Sequence, residues 1–362
     1  MSHLNEDTTH KTIPKEIPAL NGIRALAVLV VVTSHAGFGH IIPGGFGVTV
    51  FFLLSGYLIT TLLLAEFGTK GQIDIRKFYI RRFLRLTPPL LVTVALTSFA
   101  AVSGLSDGGV SLFGLMSQLL YFANYYAIFF SQPDSIPAGT GVLWSLAVEE
   151  HFYLIYPVLL SVLLGFKKGF SITIWLSIIC LLVLLWRFQI VLHPDFYEER
   201  IYYATDTRID SILFGCLLAV GFNPVAYCGH NNRLGPKSWL VIGVAIAVLI
   251  FTFTCRDIIF RQTLRYTIQG LALMPLFYFS ISRYKHWLFS FLNSHIMQKL
   301  GVYSYSIYLI HLFCIKTLLL HSSFEIAPIY LLALTLILSV LYSVLIHRFI
   351  ERYFYEFRKK YR

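Results

Sequence analysis

The sequence predicts an all-α, polytopic transmembrane bundle of about ten spans, and three observations carry that expectation. Of 362 residues, 57% are hydrophobic and only 13% are charged, a balance too apolar for a soluble globular chain. Apolar stretches of membrane-crossing length recur from one end to the other, leaving no room for a separate soluble domain. The net charge of +11 gathers between those stretches, as the positive-inside rule requires of one membrane face. That surplus does not point to nucleic acid, because no soluble basic module interleaved with aromatics exists to hold it.

Residues 1–17 read as a polar N-terminal tail carrying Lys11 and Lys15. The apolar segment after it, 18–36, lacks a small-residue cleavage site and is expected to stay as the first span, not to leave as a signal peptide. It carries Arg24 and His35. Eleven residues of α-helix make three turns plus about 20°, so the two share one face about 16 Å apart along the axis. Ionisable groups that persist inside a membrane usually line a bundle interior or a polar pathway.

The remaining spans are expected near 44–66, 88–104, 144–165, 170–192, 208–222, 238–254, 264–282, 300–320 and 327–347. Stretch 111–130 is wetter, with Ser117, Gln118, Asn124 and several tyrosines. Loop charge decides how it is placed. If it does not cross and the N-terminus is cytoplasmic, Arg81, Arg82, Arg85, Lys167, Lys168, Arg233, Arg283 and the basic end of the chain all fall inside. If it crosses, every later loop inverts. Both termini are therefore expected in the cytoplasm, with 111–130 as an interfacial or re-entrant piece on the outer side. The division is a tail over 1–17, a transmembrane domain over 18–347 and a basic tail over 348–362. Arg256, Arg261 and Arg265 run against this pattern on the outer side. The five cysteines show no CxxC or Cys/His ligand spacing, so neither a metal nor a disulfide framework is expected.

Several stretches could carry chemistry. In RKFYIRRFLRLTPP, expected as a loop before Pro88 and Pro89 open the third span, Arg81, Arg82 and Arg85 cluster beside the membrane. Topology and anionic headgroups account for such a cluster; so does a phosphate clamp, since arginine forks grip phosphate oxygens bidentately. In GVTVFFLLSGYLIT, Gly47, Ser55 and Gly56 permit close helix packing. In LWSLAVEEHFYLIYP, Glu149 and Glu150 enter an apolar helix. A helix dipole could hold them, but the cost of intramembrane carboxylates favours function, with His35 or Arg24 as cationic partner. In TDTRIDSILFGCLLA, Asp206 and Asp210 share a face, with Arg208 on the other side, and all three are expected in structural ion pairs. LGVYSYSIYLIH places Ser304, Tyr305, Tyr308 and His311 in a span.

In their order and spacing these stretches resemble acyltransferase family 3, membrane proteins that O-acylate, most often O-acetylate, sugars of cell-surface polysaccharides. The resemblance covers about residues 17 to 354. It implies an arginine–ten residues–histidine pair at Arg24 and His35 and an Arg-x-x-Arg pair at Arg82 and Arg85. It also implies a cytosolic acyl-coenzyme A donor, an acceptor at the outer face, such as lipopolysaccharide O-antigen, and the plasma (inner) membrane. Thr49 stands where many members carry an acidic residue. No esterase-like domain is expected after the last span, which makes direct acylation the simpler scheme.

The expected mechanism has Arg24, Arg82 and Arg85 holding the donor phosphates, with acyl-coenzyme A as co-substrate and no permanently bound cofactor. His35 is the general base, and Glu149 or Glu150 orients its imidazole. Ser55, Tyr308 or His311 would line the pocket or relay the acyl group. The rival is a carrier that moves an acyl group, an organic anion or a lipid-linked glycan unchanged, for which intramembrane Arg, His and Glu serve proton coupling equally well.

Overall fold

The computed structural model describes residues 17–130, 132, 134–165, 172–228 and 232–361. The tail over 1–16, Lys167, Lys168, His230 and Arg362 lie outside them. In chain order the helices are α1 (Leu20–Thr33), α2 (Gly44–Lys70), α3 (Ile75–Val102), α4 (Leu112–Leu119), α5 (Ala123–Phe129), α6 (Leu143–Gly165), α7 (Ile172–Val191) and α8 (Glu198–Tyr203). They continue as α9 (Thr205–Gly221), α10 (Pro236–Thr254), α11 (Ile258–Gln262), α12 (Leu264–Ser282), α13 (Trp287–Ser290), α14 (His295–His321), α15 (Pro328–Ile346) and α16 (Arg352–Lys359). The chain is a polytopic helical bundle. Among the described residues, 8 helical segments are long and apolar enough to cross a membrane.

A long helix stands at each of the ten positions expected for a span. The two outside the set of eight are α9 and α12, and both lie deep in the bundle. α9 packs closely on α2 because glycines remove the side chains between them. A Cβ on Gly56 would lie 1.9 Å from the Ile212 carbonyl, and one on Gly215 1.9 Å from that of Leu53. Backbones approach this closely only where both helices offer a small residue. Around the seam, Phe52, Leu53, Leu54, Ile212, Leu213 and Phe214 form the centre of the core.

Two boundaries differ from the expectation. The third helix does not open at Pro88; it starts at Ile75 and runs through Pro88 and Pro89. The Asp74 carboxylate accepts the Lys77 N–H at 2.9 Å and caps its start, and that bond holds the carboxyl below its usual range. Interior prolines remove a backbone hydrogen bond each; in the same turn the Tyr305 hydroxyl donates to the Leu86 carbonyl at 2.9 Å. As a result Arg82 and Arg85 project from a helix, not a loop, and their i, i+3 spacing sets them on one face. The second difference concerns 111–130, which forms the short helices α4 and α5 joined through Tyr121 at φ 59. Eight residues of helix reach only about 12 Å, so neither crosses.

The bundle has two distinct ends. At one, Asn124 of α5 donates to the Thr205 hydroxyl at 3.0 Å and Gln262 donates to Glu198 at 2.7 Å. His35 closes α1 at this end. At the other, the Ala19 N–H donates to the Asn293 side chain at 2.8 Å and Asn21 to Gln298 at 3.1 Å. Arg81 donates there to the Tyr361 carbonyl at 2.8 Å.

Candidate functional site

The last turns of α1 are wound as a π-helix, Ser34–Phe38, within which Gly37 adopts φ 105. Single π turns inside helices recur at functional sites. This one presents His35, an exposed residue, against His311 of α14, which is fully buried. The two imidazoles lie nearly parallel, 10° apart with centroids 5.2 Å apart. Their hydrogen bonds assign the tautomers. His311 Nδ1 lies 2.7 Å from the Tyr308 carbonyl, which can only accept, so Nδ1 carries the proton and Nε2 of the neutral ring accepts. His35 Nδ1, 2.9 Å from that Nε2, is then the donor. Nε2 of His35 is left with its lone pair, so the ring is set up to take a proton there.

A cavity with about 850 Å³ of space free of protein atoms, part of it open to solvent, extends into the bundle from the opposite end. Arg24, Arg82 and Arg85 line it, as do Ser55, Glu149 and Tyr153 along its wall and Ser145 and Tyr308 toward the His35 end. Apolar residues such as Phe51, Leu54 and Leu309 fill the remaining wall. Ser145 Oγ and the Tyr308 hydroxyl lie 2.7 Å apart, and the Tyr308 ring rests against His311 at 5.5 Å. The cavity therefore ends one aromatic ring short of the histidine pair. His35 is not in its lining, although Arg24 is; the expected single wall carrying both is interrupted by Tyr308, because the π turn and a second helix come between them.

The three arginines are not equivalent. Arg82 lies 3.7 Å from Glu149 and 3.6 Å from Glu150, with its guanidinium carbon 3.3 Å above the Tyr153 ring. Among the described residues, Arg24 and Arg85 meet no carboxylate within 4.0 Å. The carboxylates also differ from the expectation. Glu149 accepts from Ser55 at 2.9 Å and from Tyr153 at 2.8 Å, and neither it nor Glu150 reaches His35. They sit about two turns down α6, beside Arg82, so charge attraction takes them to the arginine while the imidazole is oriented by His311.

The Asp206, Arg208 and Asp210 group divides three ways. Asp210 takes a bidentate pair from the fully buried Arg187, with bonds of 2.7 and 3.0 Å. Asp206 takes one from Arg200 at 2.5 and 3.0 Å and a third bond from Trp186 at 2.7 Å. Arg208 is in no ion pair among the described residues, against expectation. Its Nη2 donates to Thr49 at 3.2 Å and its guanidinium lies 4.1 Å from the Tyr266 ring and 5.4 Å from that of Tyr202. Aromatic faces stabilise a desolvated guanidinium in place of a carboxylate. The sequence reading missed Arg187, though a lone arginine inside the apolar run 170–192 was the signal; nothing local marked Ser145.

Comparison with known proteins adds a family. A family model described as an acyltransferase domain matches residues 17–348. A Staphylococcus aureus protein provisionally named an O-acetyltransferase is 31% identical over 92% of this chain and 56% of its own length. A peptidoglycan O-acetyltransferase of Listeria monocytogenes is 34% identical over 82% of this chain and 49% of its own. The chain thus spans about half the length of the curated relatives it matches. No solved structure matches it.

Proposed function

The chain belongs to acyltransferase family 3, and from that premise we propose that it moves an acetyl group from acetyl-coenzyme A to a sugar hydroxyl of a cell-envelope polysaccharide. The observation that carries this reading is the pairing of a cation-lined cavity with a histidine relay just beyond its far end. Arg24 and Arg85 hold the phosphates of the donor, which enters from the cytosolic end. Arg82, already met by two carboxylates, anchors the wall they stand on. The thioester arm reaches along the apolar wall toward Ser145 and Tyr308, and displacement of the Tyr308 ring admits it to His35.

There the acceptor hydroxyl, presented from the outer end, loses its proton to His35 Nε2 as its oxygen attacks the thioester carbon. The carbon–sulfur bond breaks and coenzyme A leaves as thiolate toward the cytosol. The new imidazolium keeps its Nδ1 proton on His311 Nε2, which in turn is fixed by the Tyr308 carbonyl. The arrangement orients the base as a buried carboxylate does in a hydrolase triad, without adding a negative charge. The acceptor is proposed as a glycan because the Listeria relative is named for peptidoglycan; peptidoglycan sugars and lipopolysaccharide O-antigen are the two to be offered. The enzyme is proposed to sit in the plasma (inner) membrane with α9 and α12 crossing as well, both termini inside.

The test is transfer of radiolabelled acetyl from acetyl-coenzyme A to purified envelope glycan by the protein in vesicles. Label on the glycan, abolished in His35→Ala, is the expected result. Label that crosses the membrane without becoming covalently attached would replace the transferase with a carrier.

A further inference from the structure

A second cavity opens at the His35 end of the bundle, between the last turn of α7, the turn that follows it and α8. It has about 460 Å³ of space free of protein atoms, part of it open to solvent. Trp186 and Gln189 line it from one face of α7, at i and i+3. Asp195, Phe196, Tyr197 and Arg200 line it from the other side. Its wall is fixed from beneath. Asp206, in the first turn of α9, accepts from Trp186 Nε1 at 2.7 Å and from Arg200 at 2.5 and 3.0 Å, so one carboxylate holds both the indole and the guanidinium. Two residues of helix turn about 200°, so Tyr202 leaves α8 on the side away from Arg200. There it meets Gly45, where a Cβ would lie 3.0 Å from its hydroxyl. Thus α8, about 10 Å thick with its side chains, stands between this cavity and the start of α2, which follows the π turn of His35.

Tryptophan and tyrosine are common where a helix meets the membrane surface, but two features here fit a sugar and not a lipid headgroup. The Trp186 nitrogen is bonded within the protein, which holds the ring as a platform. The charge left free is negative. Arg200 has both outer nitrogens on Asp206, whereas the Asp195 side chain is 91% exposed, with His193 at 3.8 Å. A phosphate would be repelled by that carboxylate. A pyranose ring has a face of C–H groups for an aromatic side chain to cover. Its hydroxyls donate to a carboxylate such as Asp195 and pair with an amide such as Gln189. We propose that this cavity is a carbohydrate subsite for an outlying sugar unit of the acceptor glycan, whose reacting unit lies across α8 at His35. The assignment rests on the glycan-acceptor reading above. Holding a remote unit raises the effective concentration of the reacting one, so an oligosaccharide is preferred to its own monomer.

Calorimetric binding and acetyl-transfer kinetics of the full-length protein test it, in neutral detergent and in vesicles with and without anionic lipid. The probes are tetrasaccharides cut from peptidoglycan and from O-antigen, and the monosaccharides that compose them. Loss of one contact predicts about tenfold weaker tetrasaccharide binding in Asp195→Ala and in Tyr197→Ala. The tetrasaccharide KM rises by the same factor, while kcat, the coenzyme A KM and the monosaccharide KM stay as in wild type. Both side chains are exposed, and thermal midpoints equal to wild type show that the variants are folded. His35→Ala binds tetrasaccharide as wild type does. Unchanged tetrasaccharide affinity in both cavity variants overturns the proposal, as does a wild type that binds neither tetrasaccharide. A defect confined to anionic vesicles also overturns it and would assign the cavity to lipid headgroups. A wild type that binds a tetrasaccharide through Tyr197 yet transfers no acetyl to it keeps the subsite and overturns the transferase reading.

Discussion

Two charged clusters sit inside this bundle, and they are built on opposite plans. Between α7, α9 and α12, Arg187 is wholly buried, and both of its outer nitrogens bond Asp210, with Thr267 closing the group. Arg208 beside it is enclosed by aromatic rings. At the end of the cavity away from His35, by contrast, Arg24 and Arg85 line open space and meet no carboxylate among the described residues. Charge that is matched within the protein serves the fold; charge left unmatched along a cavity is an invitation to a ligand. The two arginines three residues apart on α3 show the contrast within one helix. Arg82 is matched and Arg85 is not.

The sharpest way to break the contrast is to remove a partner from the matched cluster. Arg187→Ala leaves Asp210 charged and buried, which costs about 3–5 kcal/mol. Loss of monodisperse protein on size exclusion is expected, and a stable, active variant would show that the cluster is not structural. Next in size is His35→Ala, expected to lower acetyl transfer about 10²–10⁴-fold at unchanged abundance and thermal midpoint. His311→Ala should cost less in rate, because it acts through His35.

Arg85→Ala sharpens the comparison directly, with about tenfold weaker coenzyme A binding and an unaltered thermal midpoint expected. Arg82→Ala should behave the other way, lowering the midpoint by leaving Glu149 and Glu150 side by side. Equal behaviour of the two would erase the distinction drawn here. The smallest effect belongs to Ser55→Ala, which removes one hydrogen bond to Glu149 and costs about 1 kcal/mol. Abolished transfer in that variant would instead make Ser55 the carrier of an acyl-enzyme intermediate.

The long helices, the break in 111–130 and the individual residues Arg24, His35, Arg85 and Glu149 were all readable from local pattern. Hydrophobic length, turn residues and the expense of an ionisable group in an apolar run are properties of neighbours in sequence. What local pattern misjudged were partners. It offered Glu149 and Glu150 to His35 or Arg24, because a buried carboxylate needs a cation and local pattern cannot say which. It gave Arg82 and Arg85 a loop, because it ended the segment at two prolines. It set His35 on one face with Arg24 by counting turns on an ideal helix. A π turn rotates His35 away from that count, and a hydroxyl from α14 supports the proline-containing turn of α3.

By itself, then, the chain's sequence determined that it is a helical membrane protein and which of its side chains are too costly to be there without purpose. Only the tertiary structure decided which of those side chains neutralise one another and which remain open to a substrate. Insertion depends on composition over a run of some twenty residues, whereas pairing depends on distances between residues as far apart as His35 and His311, and no local pattern encodes those.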